Sequence, residues 1–147
     1  MLTSVAPKLS HYTRAAAAAR RDAGAEDPRV NLHAIRIGMK MIKFVVVLSR
    51  RPGMTRDDFS AYLRTAHRNL GRRLPGLRHY VQNHVAEDSK RQPPAWDAVV
   101  ELSWESREAM ETAWASPEGA AATKDLEAFA DLSRSSWSIV EEIVGFE

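Results

Sequence analysis

Apolar and polar positions change period several times along the chain, and each change marks an element. Met41-Ile42-Lys43-Phe44-Val45-Val46-Val47-Leu48 is a β-branched run, apolar on both faces apart from Lys43. It predicts a strand that needs cover on both sides. Ser49-Arg50-Arg51-Pro52-Gly53 then turns the chain, and the period becomes helical. Thr55 is a helix N-cap, with Asp58 in capping-box position and acids in the first turn to meet the helix dipole. With Phe59 at zero and about 100° per residue, Leu63, Ala66 and Leu70 fall within roughly 40° of it. Tyr62 marks one edge of this stripe and His67 the other, while Asp57, Arg64 and Arg68 point to water. The helix is expected to end near Gly71 and Pro75.

A second strand is expected from Leu77 to Val85. Its alternation sets Leu77, His79, Val81 and Val85 on one face and Arg78, Tyr80, Gln82 and His84 on the other. The polar, proline-rich stretch Glu87 to Pro94 is a loop, and Asp97 to Trp104 is the third strand. A short helix over about 107–115 is capped near Ser106, and Pro117 opens another running to about Asp131. The last strand is expected over Trp137 to Phe146, with Glu141-Glu142 explained by its alternation. The order β-α-β-β-α-β is the ferredoxin-like arrangement, an α+β fold with helices over one face of a four-stranded antiparallel sheet. The other face is expected to carry Val45 and Val47 beside Tyr80, Gln82 and His84, too apolar to be bare. A second copy packed face to face would enclose a mixed cavity there. On that geometry His67 and His84 need not share one site.

Composition adds limits. A chain of 147 residues fits one domain. Without cysteine, disulfides, thiolate catalysis and cysteine zinc sites are excluded, which suits a reducing cytosol. No apolar run approaches the roughly 18 residues of a membrane span. Residues 1–40 hold seven Lys+Arg against three acids, whereas the remainder holds 14 bases against 16 acids, a net of −2. The basic character belongs to the first 40 residues, so the domain itself has no nucleic-acid footprint. Those residues favour an alanine helix from about Thr13 to Gly24 with no apolar stripe to dock. They read as an extension, or as a start that belongs nearer Met39 or Met41, before a transit peptide.

The chemistry-bearing residues are few. His67 is either a stripe-edge histidine bonded to a loop or water, or a general acid/base facing a cleft, since an imidazole with a pKa of roughly 6.5 serves either way. His84, with Tyr80 and Gln82, either holds a ligand or satisfies a subunit contact. His79 is given no role. The histidines show no H-x-x-x-H or H-E-x-x-H spacing and no carboxylate pairs with them locally, so no metal site is expected. Asp57-Asp58 serve as helix-start acids, and Trp96, Trp104, Trp114 and Trp137 read as core or interface anchors. The chain has no G-x-G-x-x-G, P-loop or nucleophile elbow.

Met41 to Leu48, Arg51-Pro52-Gly53-Met54-Thr55, Phe59-Ser60-Ala61-Tyr62-Leu63, His67 and Leu74-Pro75-Gly76-Leu77-Arg78-His79-Tyr80-Val81-Gln82-Asn83-His84 together resemble the EthD family of dimeric α+β-barrel proteins. Asp97 through Trp104 and Lys124-Asp125-Leu126-Glu127-Ala128-Phe129 continue the likeness, which covers about residues 41–147. In that family the helix usually reads F-x-x-Y-W and then H-A-P-L. Here Leu63 stands in place of the tryptophan, and Arg68-Asn69-Leu70 follow His67, so a pocket tuned by that tryptophan would be altered.

The resemblance implies a cytoplasmic homodimer whose two sheets form a barrel, with a pocket in each subunit and no membrane or nucleic-acid partner. It implies small-molecule catabolism or secondary metabolism, broadly oxidoreductase-like, on a small hydrophobic or aromatic metabolite and without a cofactor. Relatives with this architecture include lactone isomerases, polyketide-modifying enzymes and cofactor-independent monooxygenases. On this reading His67 is the candidate catalytic acid/base, and Tyr62, Tyr80 and His84 are the candidate substrate-binding residues. The alternative is a non-catalytic dimeric binding or accessory protein for a hydrophobic metabolite. Haem binding, known on other dimeric α+β barrels, is a third possibility.

Overall fold

The computed structural model describes residues 40–146. The alanine helix and the rest of the extension, with the three readings of its origin, lie outside the described residues, Lys40 aside. The elements are β1 (Ile42–Leu48), α1 (Arg56–Tyr62), a π-helical turn (Leu63–His67), α2 (Arg68–Gly71), β2 (His79–His84), β3 (Ala98–Trp104), α3 (Arg107–Ala115), α4 (Pro117–Asp125), a 3₁₀ turn (Leu126–Ala128) and β4 (Ser136–Val140). The strands form one antiparallel sheet in the order β2-β3-β1-β4, so the ferredoxin-like α+β expectation holds.

Two caps fall where the sequence puts them, and the structure adds a third. Thr55 Oγ1 accepts the amide of Asp58 at 3.1 Å, and Ser106 and Ser116 do the same for α3 and α4. Pro117 occupies the first turn of α4, where its missing N–H costs nothing. At Gly119 a Cβ would lie 2.4 Å from the Ala113 carbonyl oxygen, so α4 can start this close to the end of α3 only with glycine there. Buried Asp97 accepts the Arg50 amide and pairs with Arg56, tying the chain after β1 to the first turn of α1.

Register decides which side chains meet. Phe44, Val46 and Leu48 stand opposite Leu102, Val100 and Ala98, and all six are buried. With Phe59, Leu63, Met110 and Phe129 from the helical layer they make the core. Each large apolar side chain buried this way is worth roughly 1.5–3 kcal/mol. Tyr80, Gln82 and His84 stand opposite the same Leu102, Val100 and Ala98, so they lie on the helix-covered face. This reverses the expected assignment of β2. Its apolar Val81 is the exposed one, at 46%. The polar residues are the inner ones because each finds a hydrogen-bond partner there, His84 with Ser60 of α1, Gln82 with the Leu63 carbonyl and Tyr80 with Gln82, which reduces the penalty for covering them.

The open face carries Val45, Val47, Val81 and Val99 among Lys43, His79, Glu101 and Ser103. Other corrections are local. β4 stops at Val140, and Glu141 and Glu142 pair with Lys40 and Lys43 instead of alternating in a strand. The second long helix ends at Asp125 and tightens into the 3₁₀ turn. Of the four tryptophans Trp104 is fully buried, with its indole N–H donated to the Pro75 carbonyl at 2.9 Å, while Trp96 is exposed.

Candidate functional site

The helix carrying the histidine is interrupted just where it matters. Arg68 N–H donates to the Leu63 carbonyl five residues back, and Gln82 Nε2 donates to the same oxygen at 2.9 Å. A turn of this kind inserts one residue into the helix and shifts everything after it by up to about 100° around the axis. His67 is thereby carried from the edge of the stripe into it, and is only 8% exposed. Ala66, expected in the stripe, faces water, and Gly71 is buried where Leu70 was expected. His67 is thus a wall residue, not the cleft lip its wheel position suggests.

Its polar partner comes from the far end of the fold. His67 Nδ1 lies 2.8 Å from Oδ2 of Asp125, the last residue of α4, and Tyr62 Oη donates to the other carboxylate oxygen at 2.8 Å. Phe129 packs against both rings, with centroids 4.8 Å from His67 and 5.0 Å from Tyr62. An anionic Asp125 can only accept, so the proton belongs on Nδ1 and Nε2 keeps its lone pair. Burial holds the His67 pKa below the ordinary value of 6.5, and the Asp125 carboxylate opposes this only in part. The hydrogen bond to Asp125 raises the pKa of Tyr62, which therefore stays protonated as a donor.

A second hydrogen-bonded chain runs through β2. Ser60 Oγ lies 2.8 Å from His84 Nδ1, His84 Nε2 lies 3.0 Å from Gln82 Oε1, and Gln82 Nε2 donates to Tyr80 Oη at 2.9 Å. The tautomer and amide orientation follow from partners: Gln82 must present its nitrogen to the Leu63 carbonyl, so its oxygen accepts from His84. Burial lowers the pKa of His84, helped by nearby Arg64, and burial raises that of Tyr80. The Tyr80 ring rests on Gly71, where a Cβ would come within 3.1 Å of Oη.

The two chains end at one cavity of about 40 Å³ between sheet and helices, lined by His67, Gly71, Tyr80, Val100, Trp114 and Leu126 among others. Tyr62 stands behind His67 through Asp125, and His84 stands behind Tyr80 through Gln82. Neither Tyr62 nor His84 lines the cavity. The space admits about one or two waters. This inner cavity is too small for a haem macrocycle, since pockets for ligands of that size run to several hundred Å³.

A wider groove of about 440 Å³ crosses the open face, lined by Lys40, Lys43, His79, Val81, Glu101 and Glu142 among others. Its charges largely neutralise one another, Lys43 with Glu101 at 3.0 Å and with Glu142. The mixed cavity expected between sheets would therefore contain His79, and neither Tyr80 nor His84. The inner cavity is the better candidate because its titratable residue is buried and oriented by a carboxylate.

Sequence reasoning passed over Asp125, Gly71 and Trp114. Asp125 sits in a stretch quoted for its family likeness, and Trp114 read as core. Among the described residues no group of three or more His, Cys, Asp or Glu is placed to hold a metal ion, and no helix is long and apolar enough to cross a membrane.

The family model for the EthD domain matches residues 51–133, more than half of the chain. No curated protein matches. Among solved structures, an EthD family protein from Bacillus halodurans C-125 is 23% identical, with TM-score 0.60 over 70% of this chain and 99% of that one. An EthD-like protein from Ralstonia eutropha JMP134 is 24% identical, with TM-score 0.57 over 74% and 97%. SnoaB, a cofactor-independent oxygenase from Streptomyces nogalater, is 14% identical, with TM-score 0.52 over 70% and 93%. At these identities the likeness is one of fold.

Proposed function

Because this chain belongs to the EthD family, we propose that residues 41–147 form a small-molecule-transforming domain that works by general acid/base chemistry at the His67 cavity. The first 40 residues are an extension to it. The observation that carries this reading is the pairing of buried His67 with Asp125 at the cavity wall. A buried imidazole kept neutral, with its far nitrogen free of any described partner, is suited to take a proton. Asp125 fixes the ring and stabilises the imidazolium once the proton arrives, and Tyr62 fixes Asp125. Tyr62 and His84 are accordingly positioning residues, and Tyr80 is the ligand-facing member of the sequence-derived set.

The fold shared with a cofactor-independent oxygenase supports small-molecule metabolism without a resident cofactor as the setting. The ligand is a small hydrophobic or aromatic metabolite, only part of which enters the cavity at its present volume. The domain acts as a homodimer through its open sheet face, where Val45, Val47, Val81 and Val99 form an apolar strip. A neighbour from Bacteroides fragilis with a ferredoxin-like fold is described as dimeric, which supports this assembly.

Candidate lactones, quinones and aromatic polyketides are the compounds to screen for turnover. His67→Gln should lower turnover by roughly 10²–10⁴-fold with the fold intact. Full activity in that variant would remove the acid/base role. Tight binding of a metabolite with no turnover in either protein would favour a carrier.

A further inference from the structure

The strand-like pattern of the sequence outlasts the strand. β4 stops at Val140, yet Ile143, Val144 and Phe146 follow, and the first two are β-branched. Beyond Val140 the chain enters no further helix or strand through residue 146. The apolar side chains there are bare, with Ile143 82%, Val144 58% and Phe146 92% exposed. Among the described residues the other exposed large apolar side chains are Trp96 and Val81 of the open sheet face. Apolar groups clustered in water this way mark a contact surface.

Register fixes which way the segment faces. Ser136, Ser138 and Val140 stand opposite Val47, Val45 and Lys43, so all six belong to the open face. A period of two then puts Glu142, Val144 and Phe146 on that side and Ile143 on the other. Glu142 keeps this alternation, because its carboxylate pairs with Lys43 and lines the open-face groove. The segment is thereby rooted at the rim of the groove, and Val144 and Phe146 continue the apolar set of Val45, Val47, Val81 and Val99. Their exposure means that they do not fill the groove of their own protomer. Doing so would need a reversal at β-branched Ile143 and Val144, before the first glycine of the segment, Gly145.

We propose that residues 142–146 of one protomer cross to the open sheet face of a second copy, where Val144 and Phe146 occupy the groove. This rests on the homodimer reading and names the segment exchanged within it. A second copy is the occupant because the bare segment and the apolar strip are continuous on one face, so a partner that covers the strip meets the segment as well. The groove of about 440 Å³ has Met41 and Val81 in its wall for apolar side chains. Its Lys43 is already paired with Glu101 and Glu142, so apolar groups entering there leave that charge partnered. Under two-fold symmetry the contact is made twice, each copy giving and receiving one segment.

Sedimentation of the full chain tests the contact. Val144→Asp and Phe146→Asp should each raise the dimer dissociation constant about tenfold or more, whereas Ile143→Asp should leave it unchanged. All three positions are exposed in the protomer, so these variants lose no core contact and fold normally. Unchanged affinity in the Val144 and Phe146 variants overturns the proposal, as does an equal loss at Ile143. Cross-linking separates exchange from folding back. The chain has no cysteine, so Phe146→Cys takes a single benzophenone group, and that chain is re-equilibrated with unmodified chain grown in heavy-isotope medium. Light-to-heavy cross-links at Met41, His79 or Val81 are expected. Cross-links confined to one chain, at its own groove or at residues 1–39, overturn the exchange. If Val81→Glu breaks the dimer while Val144→Asp and Phe146→Asp do not, the segment is wrongly assigned and the open-face homodimer stands. A wild-type chain that sediments as a monomer at micromolar concentration removes both.

Discussion

His67 owes its setting to one inserted residue and one distant carboxylate, and both make testable demands. Asp125→Asn keeps the shape but can present an amide nitrogen to Nδ1, favouring the wrong tautomer. Turnover should fall by about 10²-fold or more, while Tyr62→Phe, which only loosens Asp125, should cost less. Steady-state kinetics on any substrate found in the screen would check the order, and Tyr62→Phe outranking Asp125→Asn would contradict it. Because burial depresses the His67 pKa, activity should be level at neutral pH and decline only below the ordinary value of 6.5. The same shift has a sign in stability. In the unfolded chain His67 binds its proton at higher pH than in the fold. Its contribution is therefore fully present above about pH 6.5 and is lost as pH falls through the lower folded value. His67→Gln should flatten that part of the denaturation-versus-pH curve. Gly71→Ala places a methyl against Tyr80 Oη, and should impair ligand affinity more than stability, since alanine also favours the helix by about 1 kcal/mol.

At the scale of elements, the caps and periods were legible and the departures from them were not. Thr55 and Ser106 cap as their sequence neighbourhoods indicate; Ser116, which accepts the Gly119 amide, caps α4 as well, and Ser116→Ala should cost about 1 kcal/mol in denaturant unfolding. Gly119→Ala should cost about 2 kcal/mol or more, because its Cβ meets backbone, not a movable side chain. Equal stability of that variant would mean the α3–α4 junction is looser than its geometry implies. The π turn gave no local signal. It depends on Gln82, from another strand, taking the Leu63 carbonyl, and a helical wheel cannot register that. β2 misled for a related reason: alternation reveals two faces, but which one is covered depends on where polar side chains find partners.

Across the whole molecule, the apolar strip on the open sheet face sets the expected assembly. Val81→Glu or Val45→Glu should shift the protein from dimer to monomer in sedimentation, with the His67 cavity intact because it lies on the other side of the sheet. A wild-type chain that sediments as a monomer at micromolar concentration would remove the homodimer from the proposed function. The larger open-face groove would then be ordinary surface, and the inner cavity would be unaffected.

The order of elements, the caps at Thr55 and Ser106 and the turn at Pro75-Gly76 follow from the sequence alone, because they rest on local spacing and residue chemistry, and the candidacy of His67 and Tyr80 follows from that spacing together with the resemblance of the sequence to the EthD family. Tertiary structure alone decided that Asp125 meets His67 across 58 positions of chain and that Tyr80 and His84 face the helices. Each of those depends on strand register and on a helix turn reset by a neighbour, and neither quantity is written in the period of any single segment.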